Sequence, residues 1–243
     1  MAAIEITESQ RSAAKAAGWA YLATLAVVVA VNFGIHDRLA AGGRAAAARN
    51  LLAHATLFRA GIVGDLVYCA GVVVLLTALY VILAPVGRGL ALLAALWRFV
   101  WVLTWGVMTL HLAAALRLLG DPQAARALGT AGVQALAGLE LSARFDDYYV
   151  GLLFGSLAST ACAWLWLRSR YVPRALAGFG LIASAWCVLC TVWFLVSPHF
   201  SEVVNLWWFD TPMALFDLAL SLWLLVRGLR PPAASLAMLR SGS

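Results

Sequence analysis

Charge is what this sequence has least of. Asp, Glu, Lys and Arg make up only 12% of its 243 residues, against 64% hydrophobic residues and a mean hydropathy of +0.90. A water-soluble domain carries about 25% charged and about 45–50% apolar residues, and a chain this short has too little interior to hide the surplus. Lipid must be part of its solvent. Lysine is scarcer still: Lys15 is the single lysine among 17 basic residues. With no lysine in any hydrophobic run, and fewer than seven such runs, a retinal-binding rhodopsin is excluded. The net charge of +6 comes from arginines set singly between apolar stretches. Nucleic-acid binding needs a basic cluster, so no nucleic-acid partner is expected.

The four cysteines, Cys69, Cys162, Cys187 and Cys190, all lie in hydrophobic runs, which excludes a disulfide framework. Cys187 and Cys190 would share a helix face, but no second cysteine or histidine pair completes a zinc set. They read as small buried hydrophobes. There is no P-loop, no GxSxG elbow, no HExxH helix and no histidine-rich box of the di-iron oxygenase kind, so no cofactor is expected. The N-terminus (Met-Ala-Ala-Ile-Glu-Ile-Thr-Glu-Ser) is acidic and polar where a signal peptide starts basic, so the first hydrophobic run is expected to stay on the protein.

What is present is a set of runs long enough to cross a bilayer, which takes roughly 20 apolar residues. They fall at about 16–35, 59–84, 89–117, 148–167, 174–197 and 211–228. Each is continuous rather than alternating, which excludes the strands of a membrane barrel. The expected fold is all-α: a polytopic transmembrane bundle of about six spans, forming a single transmembrane domain over residues 1–243. Segments 40–58 and 121–147 read as amphipathic helices on the membrane surface, the second opened by an Asp121-Pro122 cap. Trp19, Tyr21, Tyr148, Tyr149, Tyr171, Trp207 and Trp208 fall where the headgroup level is expected and read as interfacial anchors.

Arginine placement sets the expected orientation. The N-terminus, the short loops 84–88 and 168–174 and the C-terminal tail hold Arg11, Lys15, Arg88, Arg168, Arg170, Arg174, Arg227, Arg230 and Arg240. Positive-inside weighting of short loops then puts both ends in the cytoplasm. The protein is expected in a bacterial cytoplasmic membrane, as a multi-pass protein.

Ionisable side chains within spans cost about 2.5–3.5 kcal/mol each on insertion scales. Here they are Asp65, Arg98, His111 and Asp217. Arg98 follows Arg88 by ten residues and Asp217 precedes Arg227 by ten, so each lies about 15 Å from the inner boundary. Two opposite charges at one depth should pair, either to build a site or simply to fix helix register. A hairpin folded at Val86 places Asp65 opposite Met108 or Thr109, within a turn of His111. There the two could pass a proton or satisfy each other beside water. On the third span Arg98, Trp105 and Thr109 share a face with Trp101 at its edge. On the sixth, Asp210, Met213, Asp217, Ser221 and Leu224 form a polar-speckled stripe. Together these predict an outward-opening, aromatic-walled pocket with an acid inside. Asp217, Asp65 and His111 are its candidate catalytic groups. Arg98, Trp101, Trp105, Thr109, Tyr68 and Ser221 are its candidate binding groups. A second outer set, Asp146, Asp147, His199, Glu202 and Asp210, has no diagnostic metal spacing, and no metal is expected.

Several fragments, in order, carry a resemblance: Leu57-Phe58-Arg59-Ala-Gly-Ile with Asp65, Leu79-Tyr80 leading to Pro85-Val86, and Ala91-Leu92-Leu93-Ala94-Ala95 through Arg98. Phe154-Gly155, Arg168-Ser169 with Pro173-Arg174, and Leu222-Trp223-Leu224-Leu225-Val226 with Gly228 continue it. The chain resembles the bacterial membrane family termed domain of unknown function 4386 over most of residues 11–230. The family pattern carries glutamate where this chain has Asp217. A looser similarity, in the placement of Asp65 and Asp217 only, is to fungal membrane-bound meroterpenoid cyclases, in which acids protonate an isoprenoid and aromatics steady the carbocation.

These features point to a pocket for an apolar or amphipathic small molecule among membrane lipids, with acid–base chemistry on an isoprenoid or lipid as the reaction it would support. A small-solute or ion transporter or channel, working as a homo-oligomer, is the competing class. A non-catalytic membrane subunit or sensor is the third. The topology is testable first. A phosphatase that folds only outside the cytoplasm should be active when fused after Arg49 and inactive after Arg88 or Arg170. The reverse pattern would invert the orientation.

Overall fold

The computed structural model describes residues 6–197 and 207–230, apart from the side chains of Arg44 and Trp207. His199, Glu202, Arg240 and the Trp207 ring therefore lie outside the described residues. Helix α1 (Glu8–Val28) runs on through a π-helical segment (Val29–His36) into α2 (Asp37–Ala40). There follow α3 (Arg44–Ala53), α4 (Ala55–Leu119), α5 (Pro122–Ser169), α6 (Arg174–Val196) and α7 (Trp207–Val226). No strand occurs among the described residues. Five stretches, Glu8–Ala40, Ala55–Leu119, Pro122–Ser169, Arg174–Val196 and Trp208–Val226, are long and apolar enough to cross a membrane.

The longest of these is long enough to cross twice. At 1.5 Å per residue a straight 65-residue helix would reach about 98 Å, three times the hydrocarbon thickness. Pro85 lacks an N–H and clashes with the turn before it. Two residues later the backbone leaves helical geometry at Gly87 (φ −172°, ψ 87°). The two halves of α4 then run antiparallel. Leu79 and Leu83 pack in one cluster with Ala91 and Ala94, and Phe58 packs in another with Leu112. The Cys69 thiol points at the Val102 carbonyl at 3.9 Å. The described residues thus form an all-α bundle with six membrane-length segments.

Both ends of the first span depart from expectation. It begins at Glu8 rather than near residue 16, because Thr7 and Gln10 form a capping box. The Thr7 N–H donates to Gln10 Oε1 at 3.0 Å, and the Gln10 N–H donates to Thr7 Oγ1 at 3.2 Å. At the other end the winding loosens to π, with the Asp37 N–H bonded to the Asn32 carbonyl five residues back. Each such turn takes in one residue more than an α-turn, which rotates later side chains by about 100°. His36 is thereby carried to the inside.

Helix α5 starts as expected: Asp121 Oδ1 accepts the Gln123 N–H at 2.8 Å, and Pro122 is the first helical residue. Gly129, at φ 71°, interrupts it in a conformation suited to glycine. Beyond that break the expected surface segment is not separate, since it continues without interruption into the fourth span.

Contacts divide the chain into two compact units. The first comprises the described residues of Met1–Leu22, Gly71–Trp101 and Leu152–Ser243, and the second comprises Ala23–Ala70 and Val102–Gly151. The core of the first unit joins Ala17, Tyr21, Leu79, Ile82, Leu165, Trp166, Tyr171, Phe216 and Leu220. Gln10 reaches into it, donating to the Ile82 carbonyl at 3.1 Å, and its amide lies 3.4 Å from the Tyr171 hydroxyl. The core of the second gathers Leu39, Leu51, Phe58, Leu112 and Leu116.

Three of the expected interfacial anchors are core residues instead. Tyr21, Tyr149 and Tyr171 are buried, whereas Trp19 and Trp208 are exposed. For Tyr21 and Tyr171 the reason is the hydroxyl, which finds an internal partner in Asp217 and Gln10 respectively. A tyrosine with such a partner gains by burying its ring.

Small residues set the helix spacing in the first unit. A Cβ on Gly180 would lie 2.3 Å from the Phe216 ring, and Phe216 is itself buried and cannot swing away. Gly180→Ala should therefore lower stability by about 1–3 kcal/mol, the usual cost of overpacking. This can be read from thermal unfolding of the detergent-purified protein. Unchanged melting would mean that α6 and α7 are not held in close contact.

Candidate functional site

The second unit contains a buried polar chain built on three segments. The π-helical segment delivers His36, and the two halves of α4 deliver Asp65 and Trp105. His36 Nε2 lies 2.8 Å from Asp65 Oδ2, and Trp105 Nε1 donates to Asp65 Oδ1 at 3.3 Å. The imidazole is 0% exposed and the carboxylate 1%. The tautomer that donates from Nε2 to this acid leaves the lone pair on Nδ1. Nδ1 is buried and has no hydrogen-bond partner among the described residues. An unmet acceptor is the less costly way to leave an imidazole nitrogen alone.

Close packing fixes the ring. A Cβ on Gly61 would lie 2.7 Å from His36 Cε1, so only glycine leaves room for the imidazole there. Phe58 meets it edge-on at 5.1 Å between centroids. Around the acid, Tyr68 lies against Trp105 at 4.3 Å, and Tyr148 approaches Trp105 edge-on at 6.1 Å. The site is a histidine oriented by an aspartate beside an aromatic wall.

This corrects the expected neighbour of Asp65. The hairpin register puts Trp105, not Met108 or Thr109, opposite the acid, about one helical turn nearer the tip. His111 lies six residues beyond Trp105, about 9 Å further along the helix. It meets other partners: Nδ1 bonds Glu140 Oε2 at 2.5 Å, and Nε2 lies 3.4 Å from Asp147 Oδ2. Glu140 and Asp147 are two turns apart on α5 and so share a face. His111 and both carboxylates are partly exposed, although Asp147 Oδ2 itself is buried. Among the described residues no three His, Cys, Asp or Glu side chains come together to hold a metal ion.

The remaining candidates divide between the units. In the first, Arg98 Nη2 donates to Ser159 Oγ at 2.9 Å, and the guanidinium also bonds the Cys162 thiol. Its charge acts on Asp217, whose carboxylate hydrogen-bonds Tyr21. Asp217 Oδ1 is buried without a hydrogen-bond partner among the described residues. Trp101 packs flat against Gly155, with ring atoms 3.3 Å from where a Cβ would be. Thr109 and Ser221 turn their hydroxyls back on their own helices, to the Trp105 and Leu218 carbonyls at 2.9 and 2.7 Å. Such back-bonding satisfies a hydroxyl without a ligand. The buried stripe of α7 runs through Phe209, Phe216, Leu220, Ser221 and Leu224, rotated from the expected polar one because the large apolar rings take the core.

The family model for domain of unknown function 4386 matches residues 16–228. The chain belongs to that family. No curated protein and no solved structure matches it. The family description names no reaction, so the chemistry of this 4386 member has to be argued from its side chains.

The residue that sequence reading passed over is His36. It falls one position past the expected end of the first span, and in that place it counts as loop. Asn32 and His36 at i and i+4 were the available signal, a polar face running to the end of an apolar run. Tyr21, Ser159 and Cys162 were also missed as partners of the deep charges.

The polar chain has a measurable energetic signature. Asp65→Leu strands both the His36 and Trp105 donors and should cost about 1–3 kcal/mol for each. Trp105→Phe keeps a ring and loses one neutral-donor bond, at about 1–2 kcal/mol. Thermal unfolding in micelles should rank the variants in that order, and equal melting of Asp65→Leu and wild type would rule the chain out.

Proposed function

We propose that this protein binds an apolar or amphipathic small molecule within the membrane and moves a proton to or from it, acting as an acid–base enzyme on an isoprenoid or lipid. The observation that carries this reading is the buried His36–Asp65 dyad, with His36 Nδ1 unpartnered among the described residues. A carboxylate on one imidazole nitrogen fixes the tautomer and leaves the lone pair on the other. His36 Nδ1 is then the base, Asp65 its orienting partner, and Tyr68 and Trp105 a wall able to steady positive charge. His36 takes the place beside Asp65 that the sequence suggested for His111. In the first unit Asp217, with Arg98 and Tyr21, supports the same reading as a second buried acid with an unmet oxygen. A π-helical segment ending on the base fits as well, since such segments recur at functional sites. The working location is a bacterial cytoplasmic membrane, with both ends inside.

A second reading is a proton-coupled transporter of small solutes, acting as a homo-oligomer. Acids and histidines within spans line proton routes, and Asp65 and Asp217 are such acids. Purified protein should carry a specific apolar molecule, identified by mass spectrometry of its organic extract. His36→Gln and Asp65→Asn should lose that molecule, or leave it chemically unconverted, while still eluting as a monodisperse species. Solute-driven proton flux in proteoliposomes, abolished by the same variants, would replace the enzyme reading with the transporter. Equal retention of the molecule by both variants and no flux would refute both.

A further inference from the structure

The second unit carries another polar feature, outside the dyad. Arg144 sits on α5, just before the fourth hydrophobic run. That run starts only four residues later, near residue 148, which puts Arg144 close to headgroup level. Its side chain is only 7% exposed, and among the described residues one hydrogen bond holds it: Nη2 donates to Asp37 Oδ1 at 2.8 Å. The guanidinium also lies over the Phe145 ring, 4.6 Å from its centroid. The other guanidinium nitrogens are not among the buried, unpartnered atoms, so they keep an open side. That side is a groove of about 390 Å³, lined by Arg144 and Asp37 together with Ala40, Ala47, Leu141 and Phe145.

We propose that this groove binds the anionic head of a membrane phospholipid, with the start of an acyl chain along its alanine and leucine floor. Three features select that occupant. The volume lies in the range of small-ligand pockets, about 300–1,000 Å³. The guanidinium is a fork of donors matched to phosphate oxygens. Asp37 is 47% exposed, so an incoming phosphate can take over the guanidinium while the displaced carboxylate turns to water. Asp37 is thus a competitor for the site, which distinguishes the proposal from a purely structural ion pair.

The test uses the full chain, purified in detergent and titrated with phosphatidylglycerol or phosphatidylcholine, with bound lipids counted by native mass spectrometry. Wild type should favour phosphatidylglycerol at least threefold. Arg144→Gln should lose that preference, and Arg144→Lys should keep part of it. Asp37→Asn, which removes the competitor, should strengthen it about threefold or more. Ser142→Trp, which fills the groove without touching the ion pair, should abolish binding, and this variant serves if Arg144→Gln does not fold. Weaker binding in Asp37→Asn, unchanged binding in Arg144→Gln or Ser142→Trp, or no phosphatidylglycerol preference in wild type would each overturn the proposal. So would saturation of the groove by oleate or inorganic phosphate in place of the phospholipid.

Discussion

Inside hydrocarbon a polar group has no water to fall back on, and each one that enters a span must be met by another protein group. The described spans obey this at successive depths. Near the start of the first helix, Gln10 bonds a backbone carbonyl of the α4 hairpin. Arg98 is held by Ser159 and Cys162, and Asp65 takes two donors. Hydroxyls without a remote partner, such as Thr160, Ser184 and Thr191, bond the carbonyls of their own helices. Five buried atoms among the described residues stand against the trend: His36 Nδ1, Asp147 Oδ2, Trp166 Nε1, Asp217 Oδ1 and Trp223 Nε1. Natural structures leave few buried polar atoms unmet, and those left over often have a catalytic or ligand-binding reason.

Local backbone irregularities place these groups. A regular α-helix through residues 29–36 would have turned His36 to another face, and the π winding brings it to Asp65. Pro85 and the break at Gly87 set the hairpin register, and that register decides that Trp105 rather than Thr109 meets the acid. Gly61 removes the Cβ that would otherwise collide with the imidazole. Each is a small departure from helical uniformity, and the dyad needs all three.

Much of the architecture was legible beforehand because it follows from quantities additive along the chain. Run length and hydropathy located the spans, and the Asp121-Pro122 pair marked a helix start. The arginine spacing put Arg98 and Asp217 within electrostatic reach of one another. The placement of His111 failed for a geometric reason. A hairpin estimate good to one turn is not good enough to pair side chains, and three residues of register separate Asp65–Trp105 from the expected contact. Tyr21, Tyr149 and Tyr171 were misplaced because composition assigns an amphipathic ring to the interface, while a hydroxyl partner inside can draw it into the core.

Sequence by itself determined that this is a helical chain with segments able to cross a membrane, and that a few charges lie within its apolar runs. Those conclusions need only the energy of moving each residue between water and lipid, a sum that does not depend on what the residue touches. Tertiary structure alone decided that His36 belongs with Asp65, that Tyr21 serves Asp217, and that Arg144 opens onto a groove. Such pairings join residues distant in sequence through contacts a few ångströms long, and their geometry exists only once the helices have packed.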